Sequence, residues 1–227
     1  MNSNEGLVRN IEYERKFSLK RFLFQWEWLL VLLLVVINLI NIRLSPNYWD
    51  FDNLMSAIQM FLDKAILVFP MMLVILLGEI DISIASTMAL SAVIMGVSYQ
   101  SGIPMPAAIM ISLLIGTVCG LINGVILVKY KELSSMIVTL STMIIYRGIA
   151  SIILKDQAVS NFPDWFQYFG WGKIGNIPFI LFFFIIEALV FTYLGHKTPC
   201  GRKVYAMGNN IVTSRYSGLK NDKIKII

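Results

Sequence analysis

Residues Gly78 to Ser86 read GEIDISIAS and lie between two long apolar stretches. They carry two carboxylates, Glu79 and Asp81, in otherwise almost entirely apolar surroundings. An ionised carboxylate in hydrocarbon is costly unless it lies in a polar cavity, at the interface or beside a partner. This stretch is therefore expected to break a helix, face water or hold a fixed shape. A chain that keeps it is expected to cross a bilayer several times and to do more there than anchor.

Composition agrees with a bilayer as solvent. Of 227 residues, 57% are hydrophobic and only 15% charged, with a mean hydropathy of +0.70. Soluble domains carry about 25% charged residues. The net charge of +5 is no nucleic-acid signal, because the basic residues sit in short segments flanking apolar spans. Cys119 and Cys200 are too few and too far apart for a disulfide framework or a zinc site. No metal ligand set and no catalytic residues stand out.

The predicted fold class is all-α, a polytopic transmembrane bundle of about six spans. These are placed near 26–41, 65–77, 82–99, 106–128, 134–154 and 177–194. The second is short against the roughly 20 residues a bilayer needs, so 53–64 is expected to serve as an interfacial or tilted lead-in. The sequence divides into a basic leader (1–25), a transmembrane core (26–195) and a tail (196–227). Lys and Arg asymmetry sets the orientation. Arg9, Arg15, Lys16, Lys20, Arg21, Lys129, Lys131, Lys197, Arg202, Lys203, Arg215, Lys220, Lys223 and Lys225 fall on one side. Arg43, Lys64, Lys155 and Lys173 fall on the other. Both the N-terminus and the tail are therefore predicted to be cytoplasmic.

Several residues inside or beside the spans have two readings. The segments SPNYWDF (45–51) and NFPDWFQYFGW (161–171) fit an aromatic belt at the headgroups, or a rim for an external partner or path. Gly116, Gly120 and Gly124 share one helix face and allow close approach of another backbone. Asn123 beside them is an interhelical hydrogen-bond donor or a pathway residue. Arg147 lies past the midplane of its span. It either snorkels outward, pairs with a carboxylate such as Glu187, or lines a polar cavity.

The tail is basic and patterned. Gly208-Asn209-Asn210 reads as a breaker, Asn210 as the cap of a short helix to about Tyr216, and Gly218 as its left-handed terminator. A short helix flanked by loops suits docking to another protein. A basic anchor on anionic lipid is the plainer alternative.

Three blocks carry a family resemblance. GEIDISIASTMALSA, INGVILVKYKELSSMIVTLSTMIIYRGIA and TPCGRKVYAMGNNIVTSRYSGLKNDKIK occur in order over most of 70–227. Together they resemble the membrane permease of bacterial carbohydrate ABC importers, the group that includes ribose, xylose, galactose, rhamnose and autoinducer-2 permeases. FPDWFQYFGW and WEWLL look most like the rhamnose or autoinducer-2 branch.

The resemblance implies a multi-pass subunit of the bacterial plasma membrane that pairs with a second permease copy or paralogue. Such a subunit receives sugar from an extracytoplasmic binding protein and is driven by a separate cytoplasmic ATPase. It implies no cofactor of the chain's own, since ATP is bound by the partner subunit. The chain indeed has no G-x-x-x-x-G-K-[ST] loop and is not read as an enzyme. Gly78, Glu79, Ile80, Asp81 and Ser83 fall on the signature near the pathway, with Asn123 and Arg147 as further pathway candidates. Gly201, Arg202, Ala206, Gly208, Asn210, Arg215, Ser217 and Gly218 fall on the loop expected to contact the ATPase.

Glu79, Ala85, Ser141 and Asn209 stand where the resembled permeases carry glycine. Such permeases also continue with further spans beyond the tail, so the chain is expected to be a fragment or a truncated product. Two rival functions remain open. One is an ion-coupled secondary transporter using Asp81, Glu79, Arg147 and Glu187. The other is a non-transporting remnant.

Overall fold

The computed structural model describes residues 26–155 and 157–226. The basic leader, with Arg9, Arg15, Lys16, Lys20 and Arg21, lies outside the described residues. The chain divides into two compact units after Leu54. The first contains helix α1 (Glu27–Leu44), apolar on all sides. In it Asn38 accepts a 2.8 Å hydrogen bond from the Tyr48 hydroxyl.

The second unit holds most of the chain. Helix α2 (Phe51–Ala65) turns Gln59, Leu62 and Ala65 inward, one stripe of a helical face. Helix α3 (Val68–Leu76) follows after a two-residue turn. Pro70 explains the turn: its ring excludes the carbonyl four residues back, at Ile66, and it has no N–H to donate. Helices α4 (Ile84–Gln100), α5 (Met105–Lys129) and α6 (Ser135–Leu154) form the packed centre. Leu90, Cys119, Tyr146 and Ala150 meet there, with Val93, Ile94 and Ile115 around them.

Beyond α6, helix α7 (Asp164–Trp171) leads into a short antiparallel hairpin of β1 (Lys173–Ile174) and β2 (Ile177–Pro178). The Gln59 amide donates to the Gly170 carbonyl at 2.7 Å and ties α2 to α7. Helix α8 (Phe179–Lys197) is followed by α9 (Pro199–Asn209), α10 (Ile211–Tyr216) and α11 (Asn221–Ile226).

Among the described residues, four helical stretches are long and apolar enough to cross a membrane: α2 with α3, α5, α6 and α8. α1 and α4 are shorter apolar helices. The protein is an all-α helical membrane protein. Three expectations need correction. The lead-in at 53–64 belongs to a helix that, with α3, makes one candidate span of 26 residues, Phe51–Leu76, interrupted only by the turn at 66–67. Gly208 is no breaker, since α9 runs through it to Asn209. The short capped helix is flanked by helices α9 and α11, where loops were expected. Thr198 caps α9 by accepting from the Gly201 N–H, with Pro199 at the first helical position.

Candidate functional site

The segment 77–83 is a non-helical break between α3 and α4. Gly78 ends α3 at a φ of 76°, conformational space that favours glycine. Its N–H donates to the Ile75 carbonyl and the Glu79 N–H to that of Val74, the paired bonds of a Schellman terminus. Backbone freed from a helix inside a membrane protein needs new partners. α6 supplies them: the Ile80 N–H donates to Ser135 Oγ and the Ile82 N–H to Thr139 Oγ1, both at 3.2 Å.

Asp81 closes the far side of the break. Its Oδ1 accepts 2.7 Å hydrogen bonds from both the N–H and the hydroxyl of Ser83. Ser83 is fully buried. Its Oγ accepts in turn from Asn123 Nδ2 of α5 at 2.8 Å. The Tyr146 hydroxyl of α6 donates to the Cys119 carbonyl at 3.1 Å and lies 3.4 Å from Asn123 Oδ1. A chain of polar contacts therefore links the break to α5 and α6. Asn123 acts in it as an interhelical donor.

A cleft of about 1270 Å³ opens against this network. Glu79, Asp81, Asn123, Ser135 and Thr139 form its polar wall with Ile80 among them, and residues of α3, α5, α8, α9, α11 and the turn at 218–220 line the rest. Gly120 lies on the cleft with open space where a side chain would stand. The three-glycine face does not meet a single backbone: Gly116 faces Ser91 Oγ, and Gly124 faces the α11 backbone at Ile226. Arg147 stands apart from the cleft, exposed on α6, with no ion pair among the described residues. It does not pair with Glu187, whose Oε2 is buried without a hydrogen-bond partner.

The tail folds back onto the break. Lys225 of α11 forms an ion pair and hydrogen bond with Glu79. Burial pushes the Glu79 carboxyl up, but hydrogen bonding to Lys225 and Ser135 and the ammonium charge outweigh it, leaving the carboxyl below its ordinary value. Glu79 lies in the break, beyond the end of the α3 span. A side chain at Gly208 would collide with the Leu76 carbonyl, so glycine lets α9 sit directly on the end of α3. Gly201 plays the same part against the Leu194 and Gly195 carbonyls of α8.

α10 is built as a rigid, exposed peg. Asn210 Oδ1 accepts from the N–H groups of Val212 and Thr213, both at 2.9 Å. Gly218, at a φ of 81°, ends the helix with the same paired bonds as Gly78. Ser214 and Asn221 bond each other at 3.2 Å and fix α10 to α11. Ser217 donates back to the Thr213 carbonyl. Ile211, Val212 and Tyr216 are left exposed, as are Arg202, Ala206 and Arg215.

Sequence reasoning missed Ser135, Thr139, Tyr146 and Lys225 as partners of the break. The first three were readable in principle. Ser135, Thr139, Thr142 and Tyr146 recur at spacings of four, three and four and are all buried, a polar stripe on one face of an apolar helix. Lys225 carried no comparable signal.

A membrane bundle with a broken helix, a polar-walled cleft and an exposed capped helix beside it is the architecture of a helical permease. Residues 53–227 match the model of the family described as branched-chain amino acid transport system / permease component, and the chain belongs to that family. The family so described is one of permease components of transport systems. The chain is similar to the autoinducer 2 import system permease protein LsrD of Escherichia coli K12, of Escherichia coli O157:H7 and of Shigella flexneri. With each it is 34% identical over 206 residues, covering 88% of this chain and 62% of the relative. The chain thus spans less than two thirds of the length of these relatives. No solved structure matches it.

Proposed function

We propose that this chain forms the translocation path of an ATP-driven importer for a sugar or a similarly hydroxylated small molecule. It would lie in the bacterial plasma membrane with the N-terminus and tail on the cytoplasmic side, working with a second permease chain. An extracytoplasmic binding protein would deliver substrate, and a separate cytoplasmic ATPase would drive the cycle. One observation carries this reading: the exposed, doubly terminated helix α10 is connected through α9 and α11 to the break that walls the cleft. A push on α10 therefore reaches the Gly78–Ser83 segment through packed elements, which suits alternating access driven from outside the bundle.

The ion-coupled alternative finds less support. Only two of its four charges share the cleft: Glu79 and Asp81 lie on it, bonded to Lys225 and Ser83, whereas Arg147 is exposed on α6 and Glu187 is on α8. Co-expression with a candidate ATPase and pull-down from membranes tests the proposal. Charge reversal at Arg215 is expected to weaken capture while leaving membrane insertion intact. Unchanged capture would count against α10 as the docking element. Uptake abolished by an uncoupler and independent of any ATPase would favour the ion-coupled alternative.

A further inference from the structure

The Schellman turn at Gly78 does not require a carboxylate at Glu79. Its partner Lys225 belongs to α11, which is held at three separate points, two of them on the cleft. Lys225 pairs with Glu79 at the break. Asp222 accepts two hydrogen bonds from Lys131, at 3.0 and 3.1 Å, in the turn between α5 and α6. The Ile226 backbone lies close against Gly124 of α5, 3.3 Å from where a side-chain carbon would be. Lys223, Ile224, Lys225 and Ile226 all face the cleft.

The two ion pairs are not equivalent. Side chains of the Glu79–Lys225 pair are 22% and 21% exposed, whereas those of Lys131 and Asp222 are 60% and 55% exposed. Attraction between charges is stronger where water is largely excluded, and removing one partner there leaves an uncompensated charge. Lys203, Lys220 and Lys223 also line the cleft, so an unpaired Lys225 would be repelled by its neighbours.

We infer that Glu79 and Lys225 form a latch that holds α11 across the cleft and sets access to it from the face on which the tail lies. The inference rests on the reading of the cleft as the path. Release of the latch frees α11 from the break and exposes the polar wall formed by Asp81, Asn123 and Thr139.

The test is thiol accessibility in membrane vesicles of both orientations. A reporter thiol is placed in the cleft by Gly120→Cys, with Cys200→Ser removing the exposed native thiol; Cys119 is buried. The probe is a membrane-impermeant maleimide. Glu79→Gln and Lys225→Gln are each expected to raise the labelling rate at least about fivefold, the lower end of commonly measured coupling. Lys131→Gln is expected to raise it less. The double reversal Glu79→Lys with Lys225→Glu is expected to return the rate towards that of the parent, which also excludes a folding defect as the cause. Unchanged rates in both single variants, or a double reversal no slower than the singles, would overturn the latch. Labelling of the parent only from the extracytoplasmic face would overturn the proposed orientation instead, leaving the comparison among variants intact.

Discussion

Asp81 offers the most discriminating substitution. Its Oδ1 accepts two hydrogen bonds from Ser83, and Ser83 is fully buried and also accepts from Asn123. A hydrogen bond to a charged group contributes about 1.5–3 kcal/mol. The two bonds share one oxygen on a half-buried side chain, so Asp81→Ala is expected to cost about 3 kcal/mol in total. Asp81→Asn keeps an oxygen in the same place but loses the charge, roughly halving the strength of the bonds; about 1.5 kcal/mol is the expected loss. For a chain of this size these values correspond to midpoint shifts of about 6–12 °C and 3–6 °C respectively. The assay is thermal unfolding of the detergent-purified chain, followed by exposure of the buried Cys119 thiol. An unchanged midpoint in Asp81→Ala would refute the argument, as would an asparagine variant as unstable as the alanine one. Transport then separates structure from charge: uptake should survive Asp81→Asn better than Asp81→Ala if the residue holds the break. Equal loss in both would mean that the charge itself acts on the substrate or on a coupling ion.

Other substitutions test the remaining elements. Gly208→Ala gains helix propensity of about 1 kcal/mol but forces α9 off the Leu76 carbonyl, so a net loss of about 1–2 kcal/mol is expected. Gly120→Ala, with open space around it, should be neutral or slightly stabilising, and thermal melts of the two variants side by side would expose a wrong sign. Asn210→Ala removes the cap of α10 and should cost about 1 kcal/mol locally, seen as faster amide exchange at Val212 and Thr213; exchange unchanged from the parent would argue against the cap. The Glu79 carboxyl titrates below its ordinary value of 4.5, so its pairing stabilises the fold above that pH and is lost as pH falls through the depressed value. Besides Lys225, the titratable groups sharing its cleft are Asp81, Cys200, Lys203, Lys220 and Lys223. Taken relative to Glu79→Gln at the same pH, which cancels the common fall in thiolate reactivity, cleft labelling of the parent should therefore rise on acidification below pH 4.5. An identical acid response in both would assign the effect to another group.

Much of this protein was legible in its sequence because the relevant physics is local. Uninterrupted apolar runs require a bilayer and, with every backbone group needing a partner there, helices. Asn210 and Gly218 marked α10 because capping and left-handed termination depend on a few adjacent residues. Two carboxylates in an apolar setting marked 78–86 as a stretch to break a helix, face water or hold a shape, and the break falls at 77–83; the donor role was one of two readings of Asn123, a lone amide in a span. α9 was missed because the Gly-Asn-Asn pattern favours a break locally, whereas packing of Gly201, Val204 and Met207 against neighbouring helices extends the helix to Asn209.

Tertiary structure alone decided which distant residues meet. Nothing local to Glu79 names Lys225, 146 positions away, as its partner. Nothing near Gly208 announces that it rests on Leu76. The three glycines of α5 share a face by helical geometry, yet they meet a serine, open space and the tail backbone in turn. Arg147 and Glu187 look complementary as two opposite charges in spans, and the packing keeps them unpaired. Sequence by itself determined the solvent, most of the long apolar helices and the two ends of α10, because those follow from neighbours along the chain. The polar wall and the joining of break and tail came from the packing of α3, α5, α6, α9 and α11, where contact depends on the shape and chemistry of surfaces far apart in sequence.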